Sequence, residues 1–563
     1  MILQPVTDIA EICARLGLKN VVLSPGSRCA PLTIAFARHP EMQVKTVSDE
    51  RVAAFTGLGM AQISGKASVL VCTSGTAAYN YAPAVAEAFY QQIPLLVLTA
   101  DRPNEWVDQQ DGQTIRQTNI YQNHIKQSFN FPADLTHPDA IWHAHRLVSE
   151  AINLAHAFPA GPVHINIPLR EPFYPKPDEV FGYTKNLKII QETENAFKLS
   201  DLQAEVLKAE LQQFSRILVV AGQQMPDAKL QEAVAGFCTQ NHSVLVSDVI
   251  SNFNAENAIK HQDVFLNAKN PATENLHPEL LITFGKSVIS KNLKLFLRKS
   301  PNLQHWHIQP AGQVADTFQA LTKIIRCEPL SFFTKIGSVS GLKTAPEFAE
   351  NWQKQEKRAA DHLASFFQNK PFNEFSAYWL TMQNLPENSI LHVANSMAVR
   401  YANLIGLPAE KNIKVIANRG TSGIDGCTST AVGNAWQSGK LTTLFTGDLA
   451  FFYDRNGLWH NYLPENLRII VFNNQGGGIF RLIDGPGSQP ELDEYFETRQ
   501  MLQAQNTAKD FGLRYFKCAT EAELLQILTE FYKQNGATIL EIMTENLANA
   551  AVFREFKNSF ETN

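Results

Sequence analysis

Several features that would point to particular protein classes are missing from this 563-residue chain. Its seven cysteines are scattered and never form a CxxC pair, which argues against a disulfide framework or a cysteine zinc site and favours a reducing, cytoplasmic location. The fifteen histidines show no HxxxH or HExxH spacing, so no histidine is assigned to a metal.

Long apolar runs are also missing. No stretch reaches the roughly 18 apolar residues of a membrane span, and the N-terminal residues lack a basic segment followed by an apolar one. We therefore expect no membrane segment and no signal peptide. The net charge is −5 and there are no runs of like charge, so nucleic acid is not an expected partner.

What the chain does contain is a series of short runs rich in Val, Ile and Leu, each followed by a turn and a helix-like stretch. The runs cover residues 20–27, 68–75, 94–101, 161–168, 216–222, 243–248, 280–285, 389–395, 442–448 and 468–474. Such runs are typical of strands buried on both faces. Their alternation with helices predicts an α/β protein with three doubly wound, Rossmann-like domains and mainly parallel sheets.

Two breaks divide the chain into three parts. Four prolines between residues 168 and 178 indicate an extended linker, and strand signals vanish near residues 328–346. We predict domains at residues 1–178, 179–345 and 346–563, with a solvated tail over the last nine residues. Because ligands of open α/β sheets bind at the carboxyl ends of strands, the turns that follow the strands are the candidate sites.

One candidate site lies in residues 446–480. A strand ends at Asp448, a helix-like segment follows, and the next strand ends at Asn474. A parallel crossover should bring the two side chains out together at one sheet edge. A carboxylate and an amide oxygen form a pocket suited to Mg²⁺, and the glycines from Gly476 to Gly478 allow backbone to approach a phosphate.

Other strand-end turns favour binding of small anions. Ser74 and Gly75 lie in a loop of small residues at a predicted helix N-terminus, which suits close approach of a ligand. Four arginines lie in or beside strand-end turns, and arginine reads carboxylates through paired hydrogen bonds. They are Arg28, Arg102, Arg400 and Arg419.

The Gly-Asp and Asn-Asn pairs at residues 447–448 and 473–474 resemble the signature of thiamine-diphosphate enzymes, with Leu449 at a position that is usually glycine. Further motifs resemble the 2-succinyl-5-enolpyruvyl-6-hydroxy-3-cyclohexene-1-carboxylate synthase family over nearly the whole chain. They are SPGSR (residues 24–28), TADRP (99–103), GQTIRQ (112–117), NSMAVR (395–400) and NRGTSGIDG (418–426).

The resemblance implies two cofactors, thiamine diphosphate and Mg²⁺ (or Mn²⁺). It implies that Asp448, Asn474 and the Gly476 carbonyl hold the metal, and that Glu50 hydrogen-bonds the pyrimidine ring of the cofactor. Ile424 matches the apolar residue that bends the cofactor. The full cofactor-binding set is Glu50, Ser74, Gly75, Ile424, Gly447, Asp448, Leu449, Asn474, Gly476 and Gly477.

The resemblance also implies the reaction: decarboxylation of 2-oxoglutarate and addition of the succinyl carbanion equivalent to isochorismate, in menaquinone biosynthesis. The implied catalytic residues are Glu50, Arg28, Gln113, Ser396, Arg400 and Arg419. The implied substrate-binding residues are Ser27, Arg28, Arg102, Gln113, Lys291, Ser396, Arg400, Arg419, Ile479, Phe480 and Ile483. Lys291 is followed by Asn292, where the family often has arginine.

The resemblance further implies a homodimer or a dimer of dimers, with Glu50 and Asp448 of one site supplied by different subunits. Two alternatives remain open. Another thiamine-diphosphate enzyme, such as a 2-oxo acid decarboxylase or an acetolactate synthase, would keep Glu50, Asp448 and Asn474. A non-catalytic dinucleotide-binding or interaction protein is disfavoured, because no predicted strand is followed by GxGxxG.

Overall fold

The computed structural model of the protein describes residues 3–562 apart from residues 172, 178, 194–195, 267–270, 344, 369 and 484. Within these residues the strands form three sheets, every strand pair is parallel, and helices connect the strands. The predicted α/β fold with three Rossmann-like units is confirmed.

The first sheet has the order β2-β1-β3-β4-β6-β5. Its strands are β1 (Asn20–Leu23), β2 (Gln43–Thr46), β3 (Ser68–Cys72), β4 (Leu95–Asp101), β5 (Ser128–Asn130) and β6 (Pro162–Pro168). Its helices are α1 (Gln4–Arg15), α2 (Ala30–Ala37), α3 (Glu50–Ser64), α4 (Thr76–Asn80), α5 (Ala82–Gln91) and α6 (Pro138–His156). Every residue of β1, β3, β4 and β6 is buried, which explains their unbroken apolar sequences.

The central sheet has the order β11-β10-β9-β7-β8. Its strands are β7 (Ile217–Ala221), β8 (Val244–Ser247), β9 (Leu280–Phe284), β10 (Gln304–Ile308) and β11 (Leu321–Ile325). Its helices are α7 (Asp201–Leu211), α8 (Ala228–Gln240), α9 (Gln262–Phe265), α10 (Lys291–Arg298) and α11 (Pro329–Ile336). The start of α7 is fixed by a capping box between Ser200 and Gln203.

The third sheet has the order β13-β12-β14-β15-β17-β16. Its strands are β12 (Ile390–Val393), β13 (Lys414–Ile416), β14 (Thr442–Gly447), β15 (Leu467–Asn473), β16 (Arg514–Cys518) and β17 (Thr538–Met543). The helices of this part of the chain are α12 (Pro346–Phe366), α13 (Glu374–Gln383), α14 (Met397–Ile405), α15 (Cys427–Ser438), α16 (Asp448–Tyr453), α17 (Ala504–Phe511), α18 (Glu521–Phe531) and α19 (Asn546–Thr562).

The domain boundaries at residues 178/179 and 345/346 stay predictions. The three sheets lie between residues 20 and 168, 217 and 325, and 390 and 543, and Asp178 lies outside the described residues. All seven cysteines are free and buried, in agreement with their interpretation as small core residues. No helix in the described part of the chain has the length and hydropathy needed to cross a membrane.

The prediction of a solvated C-terminal tail is wrong. Residues 555–562 belong to α19, and Phe556 and Phe560 on this helix are 1% and 3% exposed. Phe556 packs against Phe366 of α12 and Phe375 of α13. The spacing of the two phenylalanines at i and i+4 places them on one helix face, which is the pattern that could have revealed this helix.

Candidate active site

Four neighbouring strands of the third sheet, in the order β13, β12, β14 and β15, carry predicted site residues at their carboxyl ends. Arg419 follows β13, Ser396 and Arg400 follow β12, Asp448 follows β14, and Asn474 follows β15. Because these strands are parallel and hydrogen-bonded to one another, all four segments emerge at the same edge of the sheet.

Asp448 and Asn474 are buried at this edge, with 2% and 7% of their surfaces exposed. The Gly476 amide donates a hydrogen bond to Asn474 Oδ1 over 3.2 Å. Gln500 Nε2 donates to Asp448 Oδ2 over 2.6 Å. Gln500 therefore contacts a predicted metal ligand directly, although no motif in the sequence marks it.

Glu374, the first residue of α13, is a second neighbour that the sequence analysis missed. Its carboxyl group accepts hydrogen bonds from Asn474 Nδ2 at 3.3 and 3.4 Å, and only 5% of its surface is exposed. Burial and the nearby Asp448 raise the pKa of Glu374 to about 8. Burial also raises the pKa of Asp448 to about 6. Two buried acids thus lie beside one another at this edge of the sheet.

The glycines after Asn474 pack closely against Glu497. A Cβ atom on Gly476 would lie 3.0 Å from the Glu497 carbonyl oxygen, and the Gly477 amide donates to that oxygen over 2.6 Å. The Glu497 side chain is itself held by Arg481, whose Nε donates to Oε1 over 2.9 Å. The glycines are therefore required by protein packing as well as suited to a phosphate.

Glu50 opens α3, and the preceding Asp49 caps the helix by accepting a hydrogen bond from the Val52 amide. Glu50 is half-buried, and burial together with the Asp49 charge raises the pKa of Glu50. It faces a cavity of about 330 Å³. The other lining residues are Thr73, Ser74, Gly75, Thr76, Ala77, Asn80, Asp111, Gln113, Thr114 and Ile115.

Ser27 and Arg28 lie in a loop that abuts this cavity. A Cβ atom on Gly26 would lie 2.3 Å from Thr73 Cβ, so the loop is pressed against the cavity wall. Ser27 is exposed, whereas Arg28 is buried: its Nη1 donates to the Leu169 carbonyl over 2.9 Å, and its guanidinium lies over an aromatic ring.

Arg102 holds the loop that carries Gln113. Its Nε lies 3.1 Å from Asp111 Oδ2, and its Nη2 donates to the Gly112 carbonyl over 3.0 Å. The guanidinium group of Arg102 is therefore already paired with Asp111 and Gly112. It supports the position of Gln113, which lines the Glu50 cavity.

Arg400 and Arg419 lie 19 positions apart in the sequence but at the same edge of the third sheet. Burial lowers the pKa of Arg419, and the charge of the neighbouring Arg400 acts in the same direction. Arg419 Nη1 donates to Asn395 Oδ1 over 2.8 Å, and Arg400 Nη1 donates to the Ser396 carbonyl over 2.5 Å. This doubly cationic segment is suited to a carboxylate ligand.

Lys291 and the predicted apolar residues differ in how far they are exposed and in what they pack against. Lys291 is the exposed first residue of α10. Phe480 lies with its ring centroid 5.9 Å from that of Phe496, while Ile424 and Ile483 are 38% and 41% exposed. Ile479 packs against the largest apolar core, and Leu449 is half-buried beside Asp448.

The chain does not unite all predicted residues in one cavity. Among the described residues, those lining the Glu50 cavity all lie between residues 50 and 115, and none comes from the third sheet. The two parts of the chain do contact each other, since Asn456 Nδ2 donates to Asp49 Oδ2 over 3.0 Å. The Glu50 cavity and the Asp448–Asn474 edge remain two separate half-sites.

Comparison with known proteins covers the full chain. A model of the N-terminal binding domain of thiamine pyrophosphate enzymes matches residues 6–127, and a model of their middle domain matches residues 190–393. A 2-succinyl-5-enolpyruvyl-6-hydroxy-3-cyclohexene-1-carboxylate synthase from Cytophaga hutchinsonii is 45% identical, with 99% of each chain covered. Synthases of the same name from Flavobacterium johnsoniae and Porphyromonas gingivalis are 39% and 38% identical, over 98% of this chain.

The chain belongs to this synthase family. The resemblance stated from the sequence motifs is thereby confirmed, and the protein is a thiamine-diphosphate-dependent enzyme. The middle-domain model extends to residue 393, beyond the boundary predicted at residue 345. The roles of individual residues rest on the geometry described above.

The residues of this synthase family member fit the cofactor and a divalent cation. Burial raises the pKa values of Asp448 and Glu374, and a cation beside them would favour their ionised forms. No cluster of three or more His, Cys, Asp or Glu suited to a metal occurs among the described residues, so amide and peptide oxygens must contribute, as Mg²⁺ allows. A Cβ atom on Gly447 would meet nothing within 4 Å, which leaves open space beside Asp448.

Proposed function

We propose that this enzyme decarboxylates 2-oxoglutarate and adds the succinyl group to isochorismate, forming 2-succinyl-5-enolpyruvyl-6-hydroxy-3-cyclohexene-1-carboxylate for menaquinone biosynthesis. The observation that carries the proposal is the order of strand ends in the third sheet, where the paired Arg400 and Arg419 adjoin the Asp448–Asn474 edge. A dicarboxylate bound by the arginines would lie next to the cofactor. The names of the full-length relatives support the same reaction.

In this proposal the third domain binds the diphosphate end of the cofactor. Asp448, Asn474 and the Gly476 carbonyl hold Mg²⁺ or Mn²⁺, and Gly447, Leu449 and Gly477 line the diphosphate. Thiamine diphosphate, when bound, supplies the carbon that accepts the electron pair released as a 2-oxo acid loses carbon dioxide. Asp448 would supply a carboxylate to the cation, and Glu374 would orient Asn474, whose Nδ2 donates to the Glu374 carboxyl group.

Glu50 is proposed to hold a proton and exchange it with the aminopyrimidine of the cofactor. Its raised pKa, caused by burial and by Asp49, keeps the carboxyl group able to carry that proton nearer to neutral pH. The cavity beside it would receive the pyrimidine, with Ser74 and Gly75 as walls. Gly75 has φ 85° and a Cβ atom there would lie 3.3 Å from Gln113 Cα, so a side chain would narrow the cavity.

The remaining predicted residues would bind and enclose the two substrates. Carboxylate groups would pair with basic side chains, and hydroxyl or amide groups would orient the substrates through hydrogen bonds. These residues are Ser27, Arg28, Arg102, Gln113, Lys291, Ser396, Arg400 and Arg419. The apolar side chains Ile424, Ile479, Phe480 and Ile483 would exclude water from the reacting carbons.

A homodimer, or a dimer of dimers, would complete the site by placing the Glu50 half-site of one subunit against the Asp448 half-site of another. Two observations support this assembly: the Glu50 cavity has no lining from the third sheet among the described residues, and Ile424 and Ile483 are exposed in the isolated chain. We also propose a cytoplasmic location, because seven free thiols suit a reducing compartment.

The test is an assay of isochorismate consumption with thiamine diphosphate, Mg²⁺ and 2-oxoglutarate. Consumption should require every component, and Glu50→Gln should lower turnover by roughly 100-fold or more while thiamine diphosphate still binds, because a proton-exchanging group is lost. Carbon dioxide release without consumption of isochorismate would favour the alternative, another thiamine-diphosphate 2-oxo acid decarboxylase. Full activity of Glu50→Gln would refute the role of Glu50.

A further inference from the structure

Two acidic residues, Asp248 and Asp263, lie where the central domain meets the third domain. Asp248 follows β8 and is buried, and Asp263 lies on α9 and is partly buried. Neither belongs to a recognised motif. Burial and the adjacent Asp263 raise the pKa of Asp248 to about 6, so the pair is held together at a cost that its surroundings must offset.

The pair joins the start of α10 to the middle of α14. Asp248 Oδ2 accepts hydrogen bonds from the amides of Ile289 and Ser290, and Asp263 Oδ1 accepts one from Ser290 Oγ at 2.5 Å. From the other domain, Asn403 Nδ2 donates to Asp248 Oδ1 over 3.3 Å and to Asp263 Oδ2 over 3.1 Å.

These contacts fix two of the proposed substrate-binding residues relative to each other. Ser290 is the N-cap of α10, and Lys291 is the first residue of that helix. Asn403 and Arg400 lie three residues apart on α14, on neighbouring positions of one helix face. The acidic pair therefore links the helix that begins at Lys291 to the helix that carries Arg400.

Asn292 belongs to the same framework. Its Nδ2 donates to the Asp263 backbone carbonyl over 3.0 Å and so fastens the first turn of α10 to α9. This contact explains why the residue after Lys291 need not be basic in this chain. The side chain at position 292 is used to anchor the helix that carries the lysine.

The acids also offset the mutual repulsion of the basic residues around them. Desolvation lowers the pKa of Arg400, and the Asp263 charge opposes that change. Burial and Arg400 lower the pKa of Arg419, and the Asp248 charge again acts in the opposite direction. Lys294 on α10 is likewise favoured in its charged form by Asp248.

We propose that Asp248 and Asp263 are positioning residues which set the distance between Lys291 of the central domain and Arg400 and Arg419 of the third domain, and thereby select a dicarboxylate 2-oxo acid. The proposal rests on the proposed function, because it assigns these three basic residues to the substrate. It gives the central domain a part in substrate selection.

The test compares Asp263→Asn and Asn403→Ala with the wild-type holoenzyme. Asp263→Asn removes one charge at nearly constant size, and Asn403→Ala cuts the link to α14 while both carboxyl groups remain. We expect the KM for 2-oxoglutarate to rise about tenfold in each variant, since hydrogen bonds to charged groups are lost. The preference for 2-oxoglutarate over the monocarboxylate 2-oxobutyrate should fall, and the dissociation constant of thiamine diphosphate should stay within about twofold.

Gln353→Ala is the matched control. Gln353 Nε2 also donates a hydrogen bond from α12 to the central domain, to the Asn257 carbonyl over 2.7 Å, and among the described residues its side chain forms no hydrogen bond with α10 or α14. The KM of Gln353→Ala for 2-oxoglutarate should equal that of the wild type. If Asn403→Ala and Asp263→Asn leave both KM and substrate preference unchanged in an enzyme that uses 2-oxoglutarate, the positioning role is refuted and the proposed function stands. A wild-type enzyme that cannot use 2-oxoglutarate overturns the proposed function and this inference together.

Discussion

Helices α3 and α15 cross with almost no room between their backbones, so we predict that Gly433→Ala is strongly destabilising. A Cβ atom on Gly433 would lie 2.1 Å from the Thr56 carbonyl oxygen and 3.0 Å from the Met60 amide nitrogen. The contact is reciprocal, because a Cβ atom on Gly59 would lie 2.1 Å from the Thr430 carbonyl oxygen. Neither obstacle is a flexible side chain that could move aside.

The size of the effect follows from these distances. A carbon and an oxygen need roughly 3.3 Å, so the added methyl group must push the helices apart by about 1 Å. Such overpacking costs about 1–3 kcal/mol, and the separation would also strain the hydrogen bond from Asn434 Nδ2 to the Gly59 carbonyl, which measures 2.9 Å. Losing that buried bond adds about 1–3 kcal/mol, so we expect a total of about 2–6 kcal/mol.

The assay measures the thermal unfolding midpoint together with hydrogen exchange of the α3 amides, because a multidomain chain does not have a single unfolding free energy. Gly433→Ala should lower the midpoint, speed exchange in α3 and reduce turnover, since Glu50 is the first residue of that helix. Gly236→Ala is the control. Gly236 lies inside α8 with open space around its Cα, so alanine should stabilise the helix by about 0.5–1 kcal/mol. A Gly433→Ala protein as stable as the wild type would refute the packing argument.

Two further predictions concern buried acids. Asp454 accepts hydrogen bonds from the Ser429 amide and Oγ, and burial raises its pKa from 3.8 to about 7. Between pH 3.8 and about pH 7 the folded protein therefore keeps a proton that the unfolded chain has lost, so stability falls as pH rises across that range, and Asp454→Asn should unfold with a smaller loss of midpoint between pH 5 and pH 7.5. Glu374→Leu should weaken Mn²⁺ binding, measured by electron paramagnetic resonance with thiamine diphosphate present, by about tenfold or more. Glu374→Gln, which can still accept from Asn474 Nδ2, should bind Mn²⁺ nearly as the wild type does, and equal weakening by both variants would contradict an orienting role.

Strands buried on both faces could be predicted from the sequence, including β8, which lies at a sheet edge, whereas partly exposed edge strands could not. The ten apolar runs correspond to β1, β3, β4, β6, β7, β8, β9, β12, β14 and β15. The strands β2, β11 and β16 lie at the edges of their sheets, are partly exposed, and contain lysine, so their sequences lack a continuous apolar run. The buried β17 (Thr538–Met543) was missed although its apolar sequence carried the same signal.

The site divides in the same way. Residues in strand-end turns, such as Asp448, Asn474 and Arg419, could be found because the order of strands and turns is written in the sequence. Glu374 and Gln500 could not be found, because they reach the predicted metal ligands from a helix and a loop that only tertiary packing brings near. Single-sequence patterns contain no record of such contacts.

The topology explains why the site is built from two halves. The first and third sheets have the same strand order, with β1, β2, β3 and β4 corresponding to β12, β13, β14 and β15. The helices after β2 and β13 are α3 and α15, and their reciprocal glycine contacts place an approximate twofold axis at that crossing.

Charged residues follow corresponding strands of the two sheets. Arg28 follows β1 and Arg400 follows β12, while Glu50 follows β2 and Arg419 follows β13. In an open α/β sheet the ligand crevice lies where the order of the strands reverses, which is between β1 and β3 in one sheet and between β12 and β14 in the other. In the proposed site each crevice would supply one wall: the crevice of the first sheet an acid for the pyrimidine, and the crevice of the third sheet a cation edge for the diphosphate. If neither domain binds the whole cofactor alone, a variant that disturbs either crevice should abolish activity.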